Sequence, residues 1–220
     1  MKTIELFCGT KSFSKVADRF GYSTYTVDND DRFNPNLLAS IMDINMRHPC
    51  FNHVDGADIL WASPPCTTFS VASISTHWKG GKGAYIPKTE ECKLGLRLLD
   101  RTIELIAKTR PKYWFIENPR GVMRKVIEKI FKKYGMNVYK RFTITYCQYG
   151  DSRMKPTDIW TNFYDWKPRP MCKNGDKCHE SAPRGSKTGT QGLKNARERG
   201  VIPPALFREI FKQIKSNNKS

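Results

Sequence analysis

The sequence predicts an α/β fold, a mostly parallel sheet covered by helices, interrupted late in the chain by a small irregular insert. Three observations predict it. The chain opens strand–helix–strand, the same alternation recurs downstream, and chemically reactive residue types fall repeatedly where the predicted strands end. A hydrophobic fraction of 39% and an aromatic fraction of 12% are those of a folded chain, not a disordered one.

The first strand is Thr3-Ile4-Glu5-Leu6-Phe7-Cys8, ending in Gly9. A helix follows from about Ser12, with Phe13, Val16, Ala17 and Phe20 at helical spacing, and Gly21 closes it. Ser23 to Val27 reads as a second strand with Asp28 at its carboxyl end, and Asp58 to Ala62 as a buried strand. Residues 63–88, with Gly80, Gly81 and Gly83, are expected to form a long loop. Thr89 can cap the next helix, with Glu90 and Glu91 favoured by its dipole and Leu94, Leu98, Ile103 and Ile106 buried, until Pro111 ends it. Tyr113 to Ile116 is a strand with Glu117-Asn118 beyond it. A basic helix over about 122–133 comes next, then strands near 138–146 and 157–162 paired as an edge hairpin, and a last helix over about 204–215.

Residues 1–162 are therefore expected to form the main domain, 163–200 a small insert, and 201–220 a C-terminal helix packing back on the main domain. The insert is rich in Pro, Gly, Lys and Arg and poor in aliphatics, so it can bury little by itself. No run of about 18 apolar residues exists, and no membrane partner is expected. The start lacks the features of a secretory signal, and the seven cysteines are scattered and odd in number. A disulfide framework is not expected, and the compartment should be reducing, the cytoplasm. Lys and Arg total 38 against 21 acidic residues, a formal +17, which favours a polyanionic partner, nucleic acid first.

In an open α/β sheet, ligands bind outside the carboxyl ends of the strands. Gly9, Asp28, Pro64-Pro65-Cys66 and Glu117-Asn118 all fall there, in order along the chain. Cytosine is a poor nucleophile at carbon 5, and adding a thiolate to carbon 6 makes it enamine-like. Cys66, stiffened by two prolines, suits such a nucleophile. Glu117 could neutralise charge at ring nitrogen N3 if burial raises its pKa.

These segments are similar to the motifs of the cytosine-5 DNA methyltransferases. Leu6-Phe7-Cys8-Gly9-Thr10 resembles the opening motif, and Ser63-Pro64-Pro65-Cys66-Thr67-Thr68-Phe69-Ser70 the catalytic loop. Glu117-Asn118-Pro119-Arg120 resembles the glutamate-asparagine motif. Gln148-Tyr149-Gly150-Asp151-Ser152-Arg153 resembles the later arginine motif and Val201-Ile202-Pro203-Pro204-Ala205-Leu206 the final one. The resemblance implies a Rossmann-like S-adenosylmethionine-dependent methyltransferase fold acting on DNA, double-stranded by expectation, as a monomer. It implies that Cys66 attacks carbon 6, Glu117 meets N3 and the exocyclic amine, and Arg153 meets the base's O2. Phe7, Gly9, Thr10 and Pro64 would line the cofactor cleft, Asp28 would hold the ribose hydroxyls and Asp43 the adenine amine. Ser70 and Asn118, with His77, Lys79 and Lys82 in the long loop, would contact the substrate, and the target base would be flipped out. Short basic enzymes of this kind occur in phage and mobile elements, protecting DNA from restriction.

The chain departs from the family pattern in two places. Lys11 stands where the opening motif has a second glycine, and could instead reach the cofactor carboxylate. Only about 50 residues (154–203) separate Arg153 from the final helix, so relaxed sequence specificity is expected. A fold-keeping binding module, or methylation of single-stranded DNA or RNA, are the competing readings. Asp28 and Asp43 could also be turn residues, Arg153 a solvated arginine, and His77, Lys79 and Lys82 a solvated basic loop. Cys172, Cys178 and His179 are three zinc-ligand types in eight residues, but the spacing is not that of a standard finger. Cys147 or another residue would have to supply a fourth ligand. No metal is expected, unpaired surface residues being the preferred reading.

Overall fold

A computed structural model of the chain describes residues 1–44, 57–80, 83–173, 175–180 and 195–218. Its centre is a seven-stranded sheet: β1 (Lys2–Leu6), β2 (Ser23–Asp28), β3 (Leu37–Leu38), β4 (Ile59–Ala62), β7 (Tyr113–Pro119), β8 (Lys140–Thr145) and β9 (Pro156–Thr161), in the order β3-β2-β1-β4-β7-β9-β8. The β3, β2, β1, β4 and β7 strands pair in parallel, and β9 and β8 run antiparallel to them. The strand order reverses beside β1, with β2 on one side and β4 on the other. That is where a crevice opens at the carboxyl ends of parallel strands.

Strand alternation divides the core into two layers. Ile4, Leu6, Leu60, Ala62, Trp114 and Ile116 face one side, covered by α3 (Glu90–Thr109) and α4 (Met123–Lys133). Ile59, Trp61, Tyr113, Phe115 and Ile159 face the other, covered by α1 (Ser14–Arg19) and, after the short α5 (Ala196–Gly200), by α6 (Pro204–Asn217). Phe13 of the α1 turn stacks on Trp61 and meets Phe207 and Phe211 of α6 edge-on. The final helix thus returns to the first. Among the described residues no helix is long and apolar enough to cross a membrane.

Local expectations are refined at four places. The α1 helix begins at Ser14 because its first N–H groups are capped from β1: Glu5 accepts from the Phe13 and Ser14 amides at 3.2 and 3.0 Å. The segment after Cys66 is not one long loop. It holds a 3-10 turn (Val71–Ser73), α2 (Ile74–His77) and a small hairpin of β5 (Trp78–Lys79) with β6 (Ile86–Pro87). Thr89 does cap α3, accepting from the Cys92 amide at 3.2 Å, but Leu94 is exposed, and Cys92, Gly95, Leu99 and Ile103 form the buried stripe instead. β7 extends to Pro119, three residues further than expected, because β9 pairs with Phe115 through Pro119. Glu117 and Asn118 are strand residues, and alternation sends them to opposite faces.

Candidate active site

The catalytic-loop segment leaves β4 at Ser63 and is held at nearly every carbonyl. Pro64 O accepts from Asn118 Nδ2 at 2.8 Å, and Cys66 O from the Phe69 and Ser70 amides, each at 3.0 Å. Thr67 O accepts from Ser73 Oγ and Thr68 O from Trp78 Nε1, each at 2.6 Å, and Phe69 O from the Val122 amide at 2.8 Å. Two glycines outside the recognised motifs permit this closeness. A Cβ at Gly121 would lie 2.1 Å from Phe69 O, and one at Gly95 2.7 Å from Thr68 Oγ1. Neither pairing is visible along the chain, since each glycine sits remote in sequence from what it touches.

Within this frame the Cys66 residue is exposed, whereas Cys8 and Cys92 are buried. Burial pushes the Cys8 thiol up to about 12 and leaves it unreactive. Cys66 opens to solvent, yet protein surrounds much of the residue. That desolvation raises its thiol pKa, Lys155 opposes the rise, and the Glu117 carboxylate adds to it. The thiol is therefore reachable, and its charge is set by burial and the Glu117 carboxylate against the cations of Lys155 and Arg199.

Glu117 is 5% exposed and accepts from the hydroxyl of the buried Tyr146 at 2.8 Å. Lys155 Nζ lies 4.7 Å from the centre of the Tyr146 ring and donates to Arg199 O at 3.1 Å. Lys155 was missed by reading motifs; its one legible signal is a cation two residues after Arg153 and next to a strand start. Arg153 differs from expectation. It is 4% exposed, and Nε, Nη1 and Nη2 donate to Asp151 and to the carbonyls of Glu198, Arg199 and Val201. All five of its N–H groups have protein acceptors, so in this structure it ties the 198–201 segment to the Tyr146 turn and offers none to a base O2.

At the β1 crevice, Phe7, Gly9 and Lys11 all take positive φ, at 56°, 45° and 56°. Lys11 thus adopts the left-handed conformation a glycine would take. Its ammonium donates to Asn34 O, which leaves two of its three N–H groups for another acceptor. Asp28 accepts from the Gly9 amide at 2.8 Å through one oxygen and the Asp30 amide at 3.0 Å through the other. Thr10 and Ser12 hydroxyls are 2.9 Å apart, and Ser12 Oγ accepts from the Ile202 amide at 3.2 Å. A Cβ at Gly9 would meet nothing closer than Phe7 O at 4.0 Å, so the glycine leaves an open cradle. Asp28 keeps lone pairs for hydroxyl donors. The residues present fit a nucleoside ligand with a ribose diol. Asp43 is exposed on the turn after β3, its amide bonded to Ser40 O.

The remaining predicted contacts separate. Ser70 caps the 3-10 turn through Ala72 N at 3.3 Å. His77 Nδ1 lies 2.8 Å from Thr89 Oγ1, so the ring braces the α3 cap and is not a free phosphate ligand on that side. Lys79 is exposed on β5, and Lys82 lies outside the described residues. Beside the loop, Val71, Ile74, Tyr85, Arg120 and Lys125 line a cleft of about 170 Å³.

Residues 1–140 match the family model for C-5 cytosine-specific DNA methylases. The chain belongs to that family. Family members take their methyl group from S-adenosylmethionine. The chain is 30% identical over 227 residues to the "Probable DNA (cytosine-5)-methyltransferase" of Frog virus 3 (isolate Goorha), covering 96% of the chain and 99% of the relative. Its fold is similar to that of the Entamoeba histolytica methyltransferase EhMeth, with a TM-score of 0.53, 14% identity, and 78% of this chain and 56% of that one covered. A methyltransferase encoded within an E. coli prophage matches with a TM-score of 0.51 and 17% identity, covering 72% of this chain and 45% of that one. This methylase therefore spans about half the length of the solved structures it matches.

Proposed function

We propose that this methylase transfers a methyl group to carbon 5 of a cytosine in DNA through a covalent bond to Cys66. The observation that carries the reading is an exposed thiol on a loop pinned at five of the six carbonyls from Pro64 to Phe69, within the electrostatic reach of Glu117 and Lys155. Held in this way, the sulfur needs little reorganisation to meet a pyrimidine ring.

The Cys66 thiolate adds to carbon 6, forming an S–C6 bond and an electron-rich C5. Glu117 meets N3 and the exocyclic amine, with Tyr146 fixing its carboxyl orientation. Bound S-adenosylmethionine supplies an electrophilic methyl group. Carbon 5 gains the methyl and loses its proton to solvent, and the S–C6 bond breaks as the thiolate leaves. Lys155 favours the thiolate at the start and at the end. Phe7, Gly9, Thr10, Asp28, Asp43 and Pro64 form the cofactor side, and Asn118 holds Pro64 there. Arg153 acts as a positioning residue, steadying the turn that carries Tyr146. Arg120, Lys125 and Lys79 contact the backbone of duplex DNA, with the base flipped out of the stack. In this reading the enzyme acts as a monomer and protects DNA from restriction in the cytoplasm of an infected cell, a setting that the viral source of its 30% identical relative favours.

The test is incorporation of labelled methyl from S-adenosylmethionine into duplex DNA, single-stranded DNA and tRNA, with Cys66→Ala beside the unaltered protein. Label on duplex DNA, absent from the variant, is expected. Label only on single strands or tRNA would shift the substrate, as the short insert permits. Label on none would favour a fold-keeping binding module.

A further inference from the structure

The insert after β9 is too poor in aliphatics to hold itself in place, and small irregular segments of this kind commonly gain their order from a metal or a cross-link. Four residues converge where it meets the sheet. Cys147 comes from the 3-10 turn Tyr146–Tyr149, and Cys172, Cys178 and His179 from the insert. One ligand atom from each lies within 4.8 Å of all the others. Individual separations are 3.1 Å for Cys147 Sγ to Cys172 Sγ and 3.7 Å for Cys178 Sγ to Cys147 Sγ. His179 Nδ1 stands 3.8 Å from Cys172 Sγ and 3.6 Å from Cys178 Sγ. Ligands about 2.3 Å (sulfur) and 2.0 Å (nitrogen) from a tetrahedral zinc ion sit about 3.5–3.8 Å apart, so three of these four separations match a Cys₃His site, and the 3.1 Å Cys147–Cys172 pair would open slightly around the ion.

We propose that Cys147, Cys172, Cys178 and His179 bind one structural zinc ion. The surroundings support a metal over unpaired thiols. Cys147 and Cys172 are buried; for Cys172 this corrects the expectation of a surface residue, while Cys178 is exposed. Their sulfurs are not joined as a disulfide, whose bond is about 2.05 Å. Gln148 Nε2 donates to Cys178 Sγ at 3.4 Å, and Thr145 Oγ1 accepts from the Cys172 amide at 3.1 Å, so neighbouring polar groups orient two ligands. Among the described residues His179 Nε2 is buried without a hydrogen-bond partner, so the ring is held with its Nδ1 edge toward the sulfurs at the expense of the other nitrogen. With four protein ligands the site is closed, as structural zinc sites are. Cys147 adjoins Tyr146, the residue that orients Glu117, so the ion would fasten the insert to the wall of the active site.

The test is metal analysis of the purified, tag-free protein by mass spectrometry, followed by cobalt(II) substitution. One zinc per chain is expected, with release on titration by a mercurial thiol reagent. The cobalt form should show thiolate charge-transfer absorption and the intense visible bands of a tetrahedral site. His179→Cys should retain the ion, Cys66→Ser should retain it, and Cys172→Ser/His179→Ala should lose it. The cobalt spectrum needs no variant, so misfolding of the last one leaves the proposal testable. Folded protein without zinc that gives no tetrahedral cobalt spectrum, a Cys147–Cys172 disulfide in peptide mapping, or full zinc in the double variant would each overturn it.

Discussion

Asn118 Nδ2 donates a 2.8 Å hydrogen bond to Pro64 O, joining a strand residue to the loop that carries Cys66 across 54 residues of sequence. The asparagine is fully buried, and its Oδ1 has no partner among the described residues. Its amide is therefore committed to the loop. Asn118→Leu should lower stability by about 1–3 kcal/mol, because Pro64 O is left buried and unmatched. Methyl transfer should fall further than that loss explains, since the thiol is no longer held in place. Denaturant unfolding and single-turnover methylation, read together, check both parts.

Gly121 and Gly95 act on the same loop by leaving room. In Gly121→Ala the new carbon would stand 2.1 Å from Phe69 O, a backbone atom that cannot swing aside, and the bond from the Val122 amide must break or stretch. The expected cost is about 1–3 kcal/mol with a larger loss of rate. Gly95→Ala, whose obstacle is the Thr68 side chain, should be milder. Full activity in Gly121→Ala would contradict this packing.

The fold was legible where local sequence decides. Short apolar stretches located β1, β2, β4 and the first half of β7, and Thr89 located the start of α3. What escaped were features made by partners distant in sequence. Glu117 and Asn118 read as lying beyond the strand Tyr113–Ile116, yet pairing with β9 makes them part of it. The two crowded glycines carry no local mark. Arg153 matched a motif, but its burial and its acceptors from 198–201 depend on a fold-back that no periodicity reveals.

Arg153 and Lys155 should part company under mutation. Arg153→Ala removes the buried cation paired with Asp151 and the side-chain donors to the carbonyls of Glu198, Arg199 and Val201, and should destabilise the protein by about 3–5 kcal/mol, the range for breaking a buried pair. Lys155→Met should leave the melting temperature nearly unchanged and act on rate. Thermal melts of both variants separate the roles.

The pH dependence of methyl transfer follows from the thiol. Burial raises the Cys66 pKa, so at neutral pH most of the enzyme carries the unreactive thiol, and the rate should climb as pH rises toward that pKa, about tenfold per unit. Lys155 lowers the same pKa, so Lys155→Met should move the inflection to higher pH and slow the reaction at neutral pH. A pH–rate profile of kcat/KM for the two proteins gives the comparison. A shift to lower pH would mean that Lys155 does not face the sulfur.

Lys11 holds a left-handed conformation at φ 56°. Lys11→Gly removes that strain but also the bond to Asn34 O, so its stability should change by less than about 1 kcal/mol. Lys11→Val, with a β-branched side chain in the same conformation, should cost about 1–3 kcal/mol. Chemical unfolding of the pair distinguishes backbone strain from a lost side-chain contact.

The central claim is a covalent bond between Cys66 and carbon 6 of the target base. DNA containing 5-fluorocytosine tests it most directly, because fluorine cannot leave carbon 5 as a proton does and the adduct persists. Incubation with S-adenosylmethionine, digestion and mass spectrometry should find the methylated fluoropyrimidine attached to the peptide carrying Cys66. An adduct on another cysteine, or methylation of ordinary DNA by Cys66→Ala at the unaltered rate, would contradict the account.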